Sequence, residues 1–198
     1  MDVVTLYLVD ARDKSLEDSE VFHYVNRQEL GTLSKYRVDA VRKEKTLSLY
    51  LKKKYIGHYI LDEHEKPLCQ DKYFNISHSH GVIVLAISNN APVGVDVEII
   101  KKSEDDLRKY VSSEEEYKYI KEDKNFFEVW TSKESLLKCV GTGINQSLNS
   151  VPAFPLEGIK EFDKEFYFSK MKYINDYVIS VTLKGKDDFE IKIIEEVI

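Results

Sequence analysis

The chain has 198 residues, 42% of them hydrophobic and 12% aromatic, with a formal net charge of −6. A chain of this length can bury roughly 70% of its unfolded surface, so a core forms without staples and wholesale disorder is excluded. No run of about 18 uncharged apolar residues exists to span a membrane, and Met1-Asp2-Val3-Val4 lacks the basic start of a secretory signal, so the expectation is a cytoplasmic protein.

Cys69 and Cys139 stand far apart with no CxxC pairing, which argues against a zinc site or a disulfide framework and fits a reducing compartment. The acidic balance argues against nucleic acid as a partner. The average hides an asymmetry: between residues 35 and 54, eight basic side chains face only Asp39 and Glu44, a local charge of +6. The bland reading of most of these is a solvated face, yet they single out the first third as the place for a phosphorylated ligand.

In chain order, residues 39–60 read as a helix, with Val41, Leu47, Leu51, Tyr55 and Tyr59 at helical spacing and no proline between them. A loop follows from Asp62 to Asp71, containing Lys66-Pro67. After Phe74-Asn75-Ile76-Ser77-His78-Ser79-His80-Gly81, the run Val82–Ile87 reads as a strand buried on both faces. Ala91-Pro92 closes a turn, and Val93–Ile100 is expected as its antiparallel partner. Residues 105–120 read as helical with a break at Ser112-Ser113, where Ser113 and Glu116 fit a capping box. The next helix is expected from Asn125 to Val140, stopping at Gly141. Strands are expected at 165–173, 177–183 and 189–194, with Gly185 in the last turn. Central helices with antiparallel strands around them indicate an α+β fold.

Chemistry concentrates in three places. In Gly94-Val95-Asp96-Val97-Glu98, the two acids share one face of a strand about 6.7 Å apart along the chain, while Val95 and Val97 face a core. Paired oxygen ligands suit Mg²⁺; the alternative is an exposed face with ordinary acids. In Trp130-x-x-x-Glu134-x-x-Leu137-Lys138, the four residues lie on one helix face. Glu134 and Lys138 are either a surface ion pair or a third carboxylate and a phosphate-facing cation, with Trp130 in the core. His78, after Ser77, is either structural or part of a site; with His80 it lacks the partners of a transition-metal site. A P-loop, a dinucleotide fingerprint, a G-x-S-x-G elbow and a supported SxxK motif are all missing.

Taken together, Lys66-Pro67, Phe74-Asn75-Ile76-Ser77-His78-Ser79, Gly94-Val95-Asp96-Val97-Glu98 and Trp130-x-x-Lys133-Glu134-Ser135-x-x-Lys138 with Gly141-Thr142-Gly143 resemble the Sfp-type 4′-phosphopantetheinyl transferases. The resemblance covers roughly residues 66–143. It implies two α+β halves with antiparallel sheets related by pseudo-twofold symmetry, residues 1–91 and 92–198, with coenzyme A between them and the metal site in the second. It also implies a monomer that moves the phosphopantetheine arm of coenzyme A to a serine of an apo acyl or peptidyl carrier protein, releasing adenosine 3′,5′-bisphosphate. By the resemblance, Asp96, Glu98 and Glu134 would hold Mg²⁺, with Glu134 also the candidate base. Ser77, His78 and Lys138 would contact coenzyme A at its phosphates, and Lys66 its 3′-phosphate, as would either Arg42 or Lys45. Two departures touch the coenzyme-binding loops: Glu65 and His80 stand where the family usually has glycine. A non-catalytic module binding coenzyme A or a carrier protein is the alternative.

Overall fold

The computed structural model describes residues 1–16, 20–61, 67–141 and 147–198. Strand β1 (Asp2–Asp10) is followed by helices α1 (Val21–Tyr24), α2 (Arg27–Leu33) and α3 (Asp39–Tyr55). A two-residue ladder joins β2 (Ile60–Leu61) to β3 (Pro67–Leu68), and β4 (Tyr73–Ser79), β5 (Val82–Ser88) and β6 (Val93–Ile99) come next. Helices α4 (Asp105–Val111), α5 (Glu114–Tyr119) and α6 (Asp123–Val140) precede a 3-10 turn at Leu148–Ser150. Strands β7 (Gly158–Phe162), β8 (Glu165–Ile174), β9 (Tyr177–Lys184) and β10 (Phe189–Glu195) close the chain. Among the described residues no helix is long and apolar enough to cross a membrane.

The strands form two four-stranded sheets, ordered β10-β1-β5-β4 and β6-β9-β8-β7. Because successive strand residues face opposite ways, β5 feeds two cores. Val82, Val84 and Ala86 join Val4, Leu6 and Leu8 of β1 and pack against Val93, Val95, Val97, Ile179 and Val181 of the second sheet. Ile83, Leu85 and Ile87 face Leu47, Tyr50 and Leu51 of α3 instead. Helix α6 covers the outer face of the second sheet through Val129, Leu136 and Leu137. The layers therefore run helix, sheet, sheet, helix, which is the expected α+β class.

Two expectations are corrected. Strand β6 does not pair with β5: β1 and β4 already occupy both edges of β5, and after Pro92 the chain leaves for the second sheet, where β6 pairs with β9. The first sheet is also not wholly antiparallel, since β10 returns from the second half and pairs with β1 in parallel. One long helix ends sooner than its apolar spacing implies. Gly57, at φ +75°, takes the left-handed conformation, and its N–H and that of Ile56 both bond to the Lys52 carbonyl, so α3 stops at Tyr55. The Ser113–Glu116 capping box and the Gly141 stop of α6 form as expected, whereas β1, α1, α2, β2, β3, β4 and β7 carry no such expectation.

Half of the eight basic residues at 35–54 are engaged by carbonyl or carboxylate partners within the chain. Lys43 donates to the carbonyls of Ala11 and Lys14. Lys53 pairs with Glu29 at 2.6 Å and Lys54 with Glu196 at 2.9 Å. Arg42 pairs with Asp39.

The contact that sets the site is the approach of α6 to β6 at Gly94. A Cβ built there would lie 2.0 Å from the Ser135 carbonyl oxygen and 2.4 Å from the Cys139 backbone nitrogen. Only a residue without a side chain allows this separation, and neither backbone atom can swing aside. Gly94→Ala is therefore expected to cost about 3 kcal/mol, lowering Tm by about 6–12 °C in thermal unfolding followed by circular dichroism. An unchanged Tm would show that helix and strand have room to part.

Candidate active site

Strands β4 and β6 are the facing edges of the two sheets, and side chains, not a backbone ladder, join them. Asn75, Ser77 and Ser79, alternate residues of β4, accept the N–H groups of Val95, Val97 and Ile99 at 3.1, 3.4 and 3.5 Å. The same hydroxyls donate to the acids of β6: Ser77 to Asp96 Oδ1 at 2.9 Å and Ser79 to Glu98 Oε2 at 2.7 Å. Helix α6 lies over this seam and adds Lys138, whose Nζ reaches Asp96 Oδ1 at 2.5 Å and Ser77 Oγ at 3.1 Å. A cleft of about 270 Å³ results, lined by Ile76, Ser77, His78, Asp96, Glu98, Trp130, Glu134 and Lys138. Trp130, expected in the core, is half-buried beside Phe126 and forms one wall.

What fixes α6 is a second buried pair. Lys133, with no exposed surface, holds Glu116 at 2.6 Å and donates to the Leu148 carbonyl at 2.9 Å. Glu116 meanwhile accepts the N–H groups of Ser113 and Ala153. The lysine of the Lys133-Glu134 doublet is thus an anchor, and its neighbour faces the cleft. Lys160, which donates to Ser132 Oγ beneath the same helix, is pushed down to about 7 by burial.

The cleft's electrostatics are poised for a cation. Burial, then the charge of Asp96, raises the carboxyl of Glu134, and the same two causes raise Glu98 against the hydrogen bond from Ser79. Asp96 Oδ2 and Glu134 Oε1 are buried with no hydrogen-bond partner. Among the described residues no three acidic, His or Cys side chains stand close enough to enclose a metal ion, and the Lys138 ammonium is paired with Asp96 Oδ1. Two unpartnered carboxylate oxygens in an all-oxygen donor set nevertheless fit a hard divalent cation.

On the N-terminal side of the cleft, His78 lies between two residues of α3. Its Nδ1 is 3.1 Å from Glu44 Oε2, and its Nε2 is 3.1 Å from Lys45 Nζ. Burial, then the charge of Lys45, lowers the imidazole's pKa.

The fold thus brings together seven of the residues singled out in the sequence: Lys45, Ser77, His78, Asp96, Glu98, Glu134 and Lys138. Arg42 points elsewhere, into a separate hollow with Lys14, Phe22 and Lys43, while also bonding the Tyr36 carbonyl. Lys66, Glu65, Thr142 and Gly143 lie outside the described residues. His80 occupies a left-handed turn position, φ 45°, before Gly81 at φ 84°, the conformation for which glycine is the usual choice. Three contributors escaped the sequence reading. Asn75 and Ser79 could have been found from the polar stripe at 75, 77 and 79 on a strand preceding two acids at matching spacing. Glu44 carried no signal beyond its charge.

Two outcomes test this site. Removing Lys133 strands Glu116 among buried groups, so Lys133→Met should cost about 3–5 kcal/mol in urea unfolding, and a loss below about 1 kcal/mol would deny the anchor. Because Glu134 is raised in the folded state, its charged form opposes folding at neutral pH, and that penalty disappears below the ordinary value of 4.5, where both states are protonated. Glu134→Gln should therefore raise Tm at pH 7, and the gain should vanish as the pH falls below that value. A gain over wild type no larger at pH 7 than at pH 4 would contradict the assigned burial.

Comparison with known proteins gives the following similarities. Residues 92–182 match the model of the 4′-phosphopantetheinyl transferase superfamily. The chain is 38% identical over 96 residues to 4′-phosphopantetheinyl transferase gsp of Aneurinibacillus migulanus, covering 45% of this chain and 40% of that protein. It is 34% identical over 90 residues to 4′-phosphopantetheinyl transferase Sfp of Bacillus subtilis (strain 168), covering 42% and 40%. It is 31% identical over 93 residues to 4′-phosphopantetheinyl transferase HetI of Nostoc sp., covering 40% and 39%. The matched stretch thus spans about 40% of the length of these relatives. Over residues 92–182, which carry Asp96, Glu98, Glu134 and Lys138, the chain is similar to the 4′-phosphopantetheinyl transferase superfamily and to relatives named 4′-phosphopantetheinyl transferase.

Proposed function

We propose that the cleft transfers the 4′-phosphopantetheine arm of coenzyme A to a serine hydroxyl of an apo acyl or peptidyl carrier protein, leaving adenosine 3′,5′-bisphosphate. The observation that carries this reading is the gathering of three carboxylates and Lys138 around one cleft in which two carboxylate oxygens are buried without partners. Surface acids have no reason to be so placed, because each desolvated charge costs stability unless a ligand compensates it.

In this reading Asp96, Glu98 and Glu134 hold Mg²⁺, which neutralises charge on the pyrophosphate when bound. Phosphoryl transfer leaves the protein mainly positioning and charge compensation. Lys138 turns its ammonium from Asp96 towards the pyrophosphate oxygens, and Ser77 keeps Asp96 oriented while it does so. Lys45 and His78 face the phosphates from the N-terminal side, and Lys66 takes the 3′-phosphate. Between Arg42 and Lys45, the pairing of Arg42 with Asp39 and its separate hollow favour Lys45. Glu134, which lines the cleft, is the candidate acceptor for the serine proton. The halves 1–91 and 92–198 meet at the cleft, and the protein works as a cytoplasmic monomer, without nucleic acid or membrane.

The test is intact-mass measurement of apo carrier proteins of both types incubated with this protein, coenzyme A and Mg²⁺. The carrier should gain the mass of phosphopantetheine. Glu134→Gln and Lys138→Met should each lower kcat/KM by about 100-fold or more. Coenzyme A binding with no mass gain on any carrier would assign the chain to the binding-module alternative. A Glu134→Gln protein of near wild-type rate would remove Glu134 from both of its roles.

A further inference from the structure

Glu44 is the buried acid of α3, and its two oxygens are divided between two donors. Oε1 accepts the Gly81 N–H at 2.7 Å, at the turn between β4 and β5, and Oε2 lies 3.1 Å from His78 Nδ1. A carboxylate only accepts, so Nδ1 must carry the proton. The ammonium of Lys45, 3.1 Å from Nε2, only donates, so Nε2 must be the bare nitrogen. Flanking groups of opposite capacity thus leave His78 one neutral tautomer and one ring plane. The charged groups facing the ring are Glu44 and Lys45 from α3 and Lys138 from α6.

We propose that Glu44 is a positioning residue for the phosphate-facing pair His78 and Lys45: it holds the Nδ1 proton of His78, so that Nε2 and the Lys45 ammonium are presented together on the cleft side. The proposal rests on the transfer reading only in naming coenzyme A as the phosphate ligand. Through Gly81 the same carboxylate ties the β4–β5 turn to α3, so ring orientation and turn position are set by one side chain. When a phosphate draws Lys45 away, Nε2 is free to take up a proton from solvent water and donate it in a hydrogen bond to the phosphate, while Glu44 still holds the far side of the ring.

Glu44→Gln separates these duties, because an amide offers one acceptor where the carboxylate offers two. Its oxygen goes to the Gly81 N–H, its NH₂ then faces Nδ1, and the imidazole must move its proton to Nε2, against the Lys45 ammonium. Ring ¹⁵N shifts of His78 in the full chain, read by long-range ¹H–¹⁵N NMR, are expected to show Nδ1–H in the wild type and Nε2–H in Glu44→Gln. The apparent KM for coenzyme A should rise about tenfold, the scale of one charge-assisted hydrogen bond, with kcat within about twofold. Glu44→Asp, which keeps two acceptors, should retain Nδ1–H, and it decides the matter if the glutamine variant does not fold. A His78 that keeps Nδ1–H in Glu44→Gln, or loses it in Glu44→Asp, overturns the proposal. A wild-type protein that binds no coenzyme A overturns the transfer reading instead, and the tautomer measurement still decides the role of Glu44.

Discussion

The constraint on which the site depends is the exposed edge of β6. A strand at the border of a sheet carries backbone N–H groups without ladder partners, and burying them uncompensated is costly. Here Asn75, Ser77 and Ser79 cover every second N–H, at distances longer than those of a regular ladder. A side chain reaching a backbone from the next strand has hydrogen-bonding capacity left over, which a backbone carbonyl in a ladder does not. Ser77 uses all of its capacity: it accepts from Val97 and Lys138 and donates to Asp96. Joining the sheets and orienting the acids are therefore one set of hydrogen bonds. A backbone ladder between β4 and β6 would close the same gap without aiming a single carboxylate.

Above that seam, the acids cost the fold stability. Burial raises Glu98 and Glu134, and the nearby charge of Asp96 adds to both. Lys138 offsets part of this by lying against Asp96, at the expense of occupying Oδ1. The fold carries the strain because α6 cannot retreat. Gly94 lets the helix sit against the strand, and Lys133 with Glu116 fastens it from the far side. The helix thus has a fully buried cation facing the core and a half-buried one, Lys138, facing the cleft. Consecutive residues 133 and 134 point to these two environments, so a doublet that looks like one motif in sequence performs two separate tasks.

Much of this was legible beforehand, for physical reasons. Period-two alternation around Asp96 and Glu98 and helical spacing through Glu134 and Lys138 are local properties, so faces and neighbours followed from them. The break at Ser113 and the stop at Gly141 were legible because caps are written in single residues. Strand partners were not. Val82–Ile87 and the segment after Pro92 look like a hairpin, but β1 lies 70 and more residues away and claims the edge of β5 that a hairpin would use. β10 joins β1 in parallel from the opposite end of the chain for the same reason: sheet order is decided by which long-range faces bury most, and a local window carries no record of it. Glu44 was hidden differently. Its meaning comes from His78, more than thirty residues on, and in the sequence it only subtracts one from a basic run.

That basic run also changes the meaning of the charge balance. A local +6 invites the picture of a surface waiting for phosphate, yet Lys43, Lys53, Lys54 and Arg42 are engaged by carbonyls, Glu29, Glu196 and Asp39. Cations committed to internal partners attract an anionic ligand weakly, because their fields are largely cancelled at close range. Lys45 differs in that the partner its ammonium reaches is the His78 imidazole and not a carboxylate. Lys138 is the converse, a cation matched by Asp96 and so available only when something else satisfies that carboxylate. A divalent cation among the acids would supply that compensation and release the ammonium in the same event. In that reading the binding of a cation and of a phosphorylated ligand would be coupled, and the net charge of the chain alone would be a poor guide to either.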